Sequence, residues 1–105
     1  MKKIHVLEVR LYEDPPNGDL VATMKVEEKE KDNTFSVVGV EFKGSKKFDS
    51  VRYRSVRLRL KNGENGEEDV HVVYYDFMDS PGRFKWAVAA TLKAYLSAVR
   101  SVRRK

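Results

Sequence analysis

Five cations crowd into the eleven residues from 51 to 61, VRYRSVRLRLK: Arg52, Arg54, Arg57, Arg59 and Lys61. A guanidinium gives two parallel hydrogen bonds to a phosphate or carboxylate and stacks on flat rings, which a lysine does poorly. The cations alternate with Val, Tyr and Leu, as in a half-buried strand with one face inward and one outward. The alternation slips once. Arg52 and Arg54 share parity with Val56, Leu58 and Leu60, whereas Arg57 and Arg59 share parity with Tyr53. One extra residue at Ser55–Val56, a β-bulge, restores the pattern. Val51, Tyr53, Val56, Leu58 and Leu60 then face a core, and all four arginines form one outward row suited to a polyanion. Without the bulge the arginines divide between two faces.

Flat rings beside such a row would complete the parts of a single-strand reader, with guanidiniums for phosphates and aromatic faces for bases. Tyr74 or Tyr75, depending on strand register, and Tyr12 are the candidates. A second cationic cluster, Arg100, Arg103, Arg104 and Lys105, closes the sequence. Both clusters also have plainer readings. Strand arginines pair with acids on neighbouring strands, and Glu8, Glu41, Asp76 and the acidic run at 64–69 could supply them. Cations near a helix C-terminus offset its macrodipole.

Other chemistry is missing. Cysteine is absent, which excludes disulfides, thiolate metal sites and thiol nucleophiles. His5 and His71 fall on separate expected strands with no ligand spacing. NGENGEED at 62–69 lacks the strand–Lys–helix context of a phosphate loop and the ligand order of a calcium loop. Asp76 and Asp79 read as turn and capping residues. The expectation is a non-enzyme with no catalytic residue, metal or cofactor. No apolar run approaches the length of a membrane span, and MKKIHVLEVR is too interrupted for a secretory signal. The expected compartment is cytoplasmic.

The 105 residues fit one domain. Net charge is +5, and its distribution says more than its total. Residues 51–61 contribute +5, 62–82 contribute −6 and 83–105 contribute +7, and eight of nine arginines lie after residue 50. That segregation favours a nucleic-acid partner. Glutamine is absent and charged residues reach 35%, a composition common in heat-adapted proteins.

The elements that must position these residues follow from periodicity. Strands are expected at 3–12, with His5, Leu7, Val9 and Leu11 on one face, and at 20–30, with Leu20, Ala22, Met24 and Val26 inward. Others are expected at 34–43, with Val38, Val40 and Phe42 on one face and a bend or bulge at Gly39, at 51–61, and at 70–78. DPPNGD at 14–19 is a turn, GSKKFDS at 44–50 a polar loop, and 62–69 an acidic hairpin loop. Ser80 suits a helix N-cap and Pro81 the first helical position. From Phe84 to Val102 the spacing is helical, with Phe84, Val88, Leu92, Tyr95, Val99 and Val102 on one face, flanked by Ala87, Thr91, Ala94 and Ala98. The expected fold is α+β, a five-stranded antiparallel meander packed against one C-terminal helix.

On this helix Trp86 falls opposite Phe84 and Val88, among Ala89, Ala90, Lys93, Ser97 and Arg100. A covering loop, a stacked base or a second subunit would each explain it. The small residues would let another helix approach closely, so Trp86, Ala89, Ala90, Lys93 and Ser97 form the expected homodimer interface.

A curved antiparallel meander followed by one helix is similar, in architecture, to the PUR-type single-strand-binding domains. The resemblance implies nucleic acid on the sheet face and dimerisation partly through helices. A C-terminal helix with an early Trp equally resembles pleckstrin-homology domains, which have seven strands where five are counted here. The expected protein binds nucleic acid, preferably single-stranded DNA or RNA. It does so through Arg52, Arg54, Arg57, Arg59, Lys61, Tyr74, Tyr75, Arg100, Arg103 and Arg104. The alternative is a protein–protein or accessory module whose arginine face meets an acidic partner.

Overall fold

The computed structural model describes residues 2–13, 19–44, 47–49, 53–63, 66–74 and 81–103. Five strands precede one helix: β1 (Lys2–Glu13), β2 (Asp19–Lys29), β3 (Thr34–Phe42), β4 (Tyr53–Gly63), β5 (Gly66–Tyr74) and α1 (Pro81–Arg103). The strands form one antiparallel sheet in the order β3-β2-β1-β4-β5. This is the expected two-layer α+β architecture, but the order is not that of a simple meander. β4 leaves β3 and pairs with β1 on its other side. The connection that makes this crossing was expected to be a polar loop, yet it packs on the core. Phe48 stacks on Phe84 of α1 with ring centroids 5.2 Å apart and packs at 6.1 Å against Tyr53. One apolar ring in that connection thus ties it to the core.

The period-two pattern of β1 and β2 buries Leu7, Val9, Leu11, Leu20, Ala22, Met24 and Val26 almost completely, as an amphipathic sheet requires. β4 adds Tyr53, Val56, Leu58 and Leu60, and α1 covers them with Phe84, Val88, Ala89, Leu92 and Leu96. Leu92 has no exposed surface, and its truncation to Ala is expected to lower stability by about 2–5 kcal/mol. The helix approaches the edge strands β3 and β5 most closely, so the sheet curls around it.

Three of the four register shifts among the described strands set which side chains face in. In β4 the pairing passes from Tyr12–Ser55 to Glu13–Tyr53, so Arg54 is the extra residue, one position before the site expected at Ser55–Val56. In β3 the pairing passes from Lys25–Gly39 to Val26–Val37. Val38, expected on one face with Val40 and Phe42, is the extra residue and is 54% exposed, while Val37 joins Val40 and Phe42 against the core. In β5 Val70 is the extra residue between His71 and Asp69. Residues 66–69 of the acidic run are strand, not loop: β5 starts at Gly66, four residues earlier than expected, while Glu64 and Asn65 lie outside the described residues. Gly63 and Gly66 close this hairpin. Gly66 sits at φ 93°, and a Cβ on Gly63 would lie 2.9 Å from the Gly66 carbonyl oxygen.

The helix begins at Pro81, as expected, while Ser80 lies outside the described residues. Its buried stripe is rotated from the expected one. Ala89 and Leu96 are buried, whereas Ala94, Ala98 and Val102 are exposed. Among the described residues no helix is long and apolar enough to cross a membrane.

Candidate nucleic-acid interface

The sheet has two unlike faces because only one is covered by α1. On the open face, β1 presents Glu8, Arg10 and Tyr12 beside Arg57 and Arg59 of β4, and the five line a shallow hollow. Register explains the grouping. Arg10 lies directly opposite Arg57, Glu8 opposite Arg59 and Tyr12 opposite Ser55. The bulge at Arg54 lets Tyr53 turn inward while Arg57, Arg59 and Lys61 stay on the open side.

These cations meet carboxylates on the neighbouring strands. Asp69 of β5 bridges two arginines, accepting from Arg59 Nε at 3.0 Å and Arg57 Nη2 at 3.3 Å. Glu67 pairs with Lys61 and stands 3.8 Å from Arg59 Nη1. Arg10 Nη1 donates to Asp19 at 3.0 Å, and its Nη2 lies 3.6 Å from Glu8. The Arg59 hydrogen bond holds the Asp69 carboxyl below its ordinary pKa, and the Lys61 hydrogen bond does the same for Glu67. Asp69 in turn raises Arg59, and Asp19 raises Arg10. The pairing with neighbouring acids foreseen for a plain strand face is therefore present.

Of the other expected site residues, Arg54 is the bulge residue of β4 and Arg103 ends α1, but neither side chain is described. The backbone of Tyr74 pairs with Ser55, again without a described side chain. Arg52, Tyr75 and Arg104 lie outside the described residues. Arg100 does not join the row. Its guanidinium grips the buried Glu28 carboxylate at 2.7 and 3.0 Å, on the helix side of the sheet. The same carboxylate accepts from His5 Nε2 at 2.8 Å. The Arg100 hydrogen bonds, against the opposing effect of burial and with help from His5, lower Glu28 to about 2. Arg100 is a structural clamp here, and it sits on the opposite side of the sheet from Arg57 and Arg59.

The helix set divides too. Trp86 is 71% exposed, Lys93 and Ser97 are exposed and Ala90 is half-buried. Ala89 is 7% exposed and belongs to the core, so it cannot serve the dimer interface proposed for it without leaving that core. Comparison with protein-family models, curated proteins and solved structures finds no match. Among the described residues no three His, Cys, Asp or Glu side chains stand together as a metal site.

Sequence reasoning missed Arg10, Asp69 as a bridge, and the Glu28 clamp. The first two depend on β4 pairing with β1 and on the Val70 bulge, neither of which leaves a local signal. A lone acid in phase with Leu20, Ala22, Met24 and Val26 was a legible hint of Glu28, since an inward carboxylate demands a cation.

Proposed function

We propose that this chain is an intracellular, non-enzymatic nucleic-acid-binding protein that receives single strands on the open face of its sheet. One observation carries the reading: Arg10, Arg57 and Arg59 line one hollow together with Tyr12 and a single acid, Glu8. An uncovered, curved sheet suits an extended strand better than a duplex groove. The carboxylates already paired with the arginines do not forbid this. The paired side chains are partly solvated, 30–53% exposed, and pairs so open to water contribute little to stability. A phosphate can replace Asp69 or Glu67, whose charges then keep affinity moderate.

The test is fluorescence anisotropy with labelled single-stranded DNA, RNA and duplex DNA at two salt concentrations. The reading expects single strands to bind more tightly than duplex, and Arg57→Ala/Arg59→Ala to bind at least about tenfold more weakly at low salt. Equal binding by the double variant, or no binding of any probe, would sink it. A second reading has its own support, since acids of this same chain already fit the arginines. An acidic peptide that competes for the face, while no oligonucleotide binds, would establish that protein–protein role instead.

A further inference from the structure

The arginine row attracts attention, yet the excess positive charge lies elsewhere. Residues 1–80 hold all 16 acidic side chains and 14 of the 21 basic ones, a net of −2. Residues 81–105 hold seven cations and no acid, a net of +7. Charge is therefore segregated by layer. The sheet is close to self-neutralised, and α1 with its tail is uniformly cationic. Within α1, Arg100 is neutralised by Glu28. Lys85 and Lys93 are exposed and make no ion pair among the described residues.

The only tryptophan of the chain stands among these cations. Trp86 is next to Lys85 and two turns before Lys93, and it points away from the sheet side taken by Phe84, Val88 and Leu92. An indole 71% exposed is a large apolar surface left in water. Ala90, one turn further on, is small and leaves the ring uncovered on that side. A flat ring beside solvated ammonium groups, with no competing carboxylate on the helix, is matched to a ligand that is both anionic and aromatic. Single-stranded nucleic acid is that ligand.

We infer that the outward face of α1 is a second nucleic-acid contact surface, with Trp86 stacking on a base and Lys85 and Lys93 meeting flanking phosphates. It rests on the proposed function only in the choice of ligand, since it uses the opposite face of the domain. The consequence is a two-sided molecule that touches two segments of single strand, or one that passes around its edge. An acidic protein surface would meet the lysines but would give the exposed ring no stacking partner. A second copy would bring another cationic helix against this one.

The lone tryptophan supplies the test. Its emission is titrated with an unlabelled oligothymidylate and, separately, with inorganic polyphosphate, in wild type, Arg57→Ala/Arg59→Ala and Lys85→Ala/Lys93→Ala proteins. Oligothymidylate is expected to quench the emission, polyphosphate to bind without comparable quenching, and Arg57→Ala/Arg59→Ala to retain the quench. Lys85→Ala/Lys93→Ala should flatten the slope of log K against log salt by about 1.4, two single-strand phosphate contacts. Trp86→Ala, followed by anisotropy, should bind roughly tenfold more weakly. If oligothymidylate binds by anisotropy but leaves the emission unchanged, this surface is wrong and the sheet face stands alone. If Arg57→Ala/Arg59→Ala binds as wild type while quenching persists, the sheet reading fails and this one survives. Emission that shifts with protein concentration alone, with a dimer mass by light scattering, would assign the face to a second copy and overturn the inference. So would the absence of any oligonucleotide binding.

Discussion

Glu28 shows how one residue can fix an element and a pH response together. Its carboxylate is 2% exposed and held by Arg100 and His5, so its pKa falls from an ordinary 4.5 to about 2. A lowered native pKa means that the stabilisation is fully present above about 4.5 and is lost as pH falls toward 2. Urea midpoints measured from pH 5 to pH 2 should fall across that window. Arg100→Ala should cost about 3 kcal/mol at pH 7, because a buried carboxylate is left without its main partner. An unchanged midpoint would return Arg100 to the surface role the sequence proposed. Asp69 makes the opposite kind of prediction. Asp69→Asn should leave stability nearly unchanged but tighten oligonucleotide binding a few-fold at low salt, by releasing Arg57 and Arg59 from a competing anion.

At the scale of elements, β4 decides which residues meet. The parity break in VRYRSVRLRLK was legible because Tyr53 and Val56 cannot both face inward on an unbroken strand, and the structure resolves it with a bulge at Arg54. The one-residue error in placing it arose because parity alone fixes that a residue is extra, not which one is. A deletion series tests the placement. Removing Arg54 should leave Tyr53 inward and Arg57 outward and change stability by no more than about 1 kcal/mol. Removing Arg57 should throw part of the strand out of phase and cost at least about 3 kcal/mol, as read by thermal melts. Equal effects would contradict the bulge. The strands themselves were legible from alternation, but the order β3-β2-β1-β4-β5 was not. The connection that carries the chain from β3 to β4 holds Phe48, whose contacts with Phe84 and Tyr53 no local pattern announces. The helix stripe was off for a similar reason: Leu96 and Ala89 are drawn in by a sheet that curls toward α1.

For the whole molecule, the +5 net charge is the sum of a sheet near neutrality and a helix layer that is wholly cationic. The sequence exposed the segregation in numbers, and the layers give it direction, with guanidiniums around a hollow on one side and Trp86 among lysines on the other. Association with single strands should accordingly be driven by counterion release and depend steeply on salt. The measurement that tests this most directly is the binding constant for a labelled single-stranded oligonucleotide between 50 and 200 mM salt, roughly the range over which phosphate contacts are resolved. Log K should fall in a straight line with log salt, and the line should flatten in Arg57→Ala/Arg59→Ala protein. A binding constant indifferent to salt, or no binding at 50 mM, roughly the low end of that range, would contradict it.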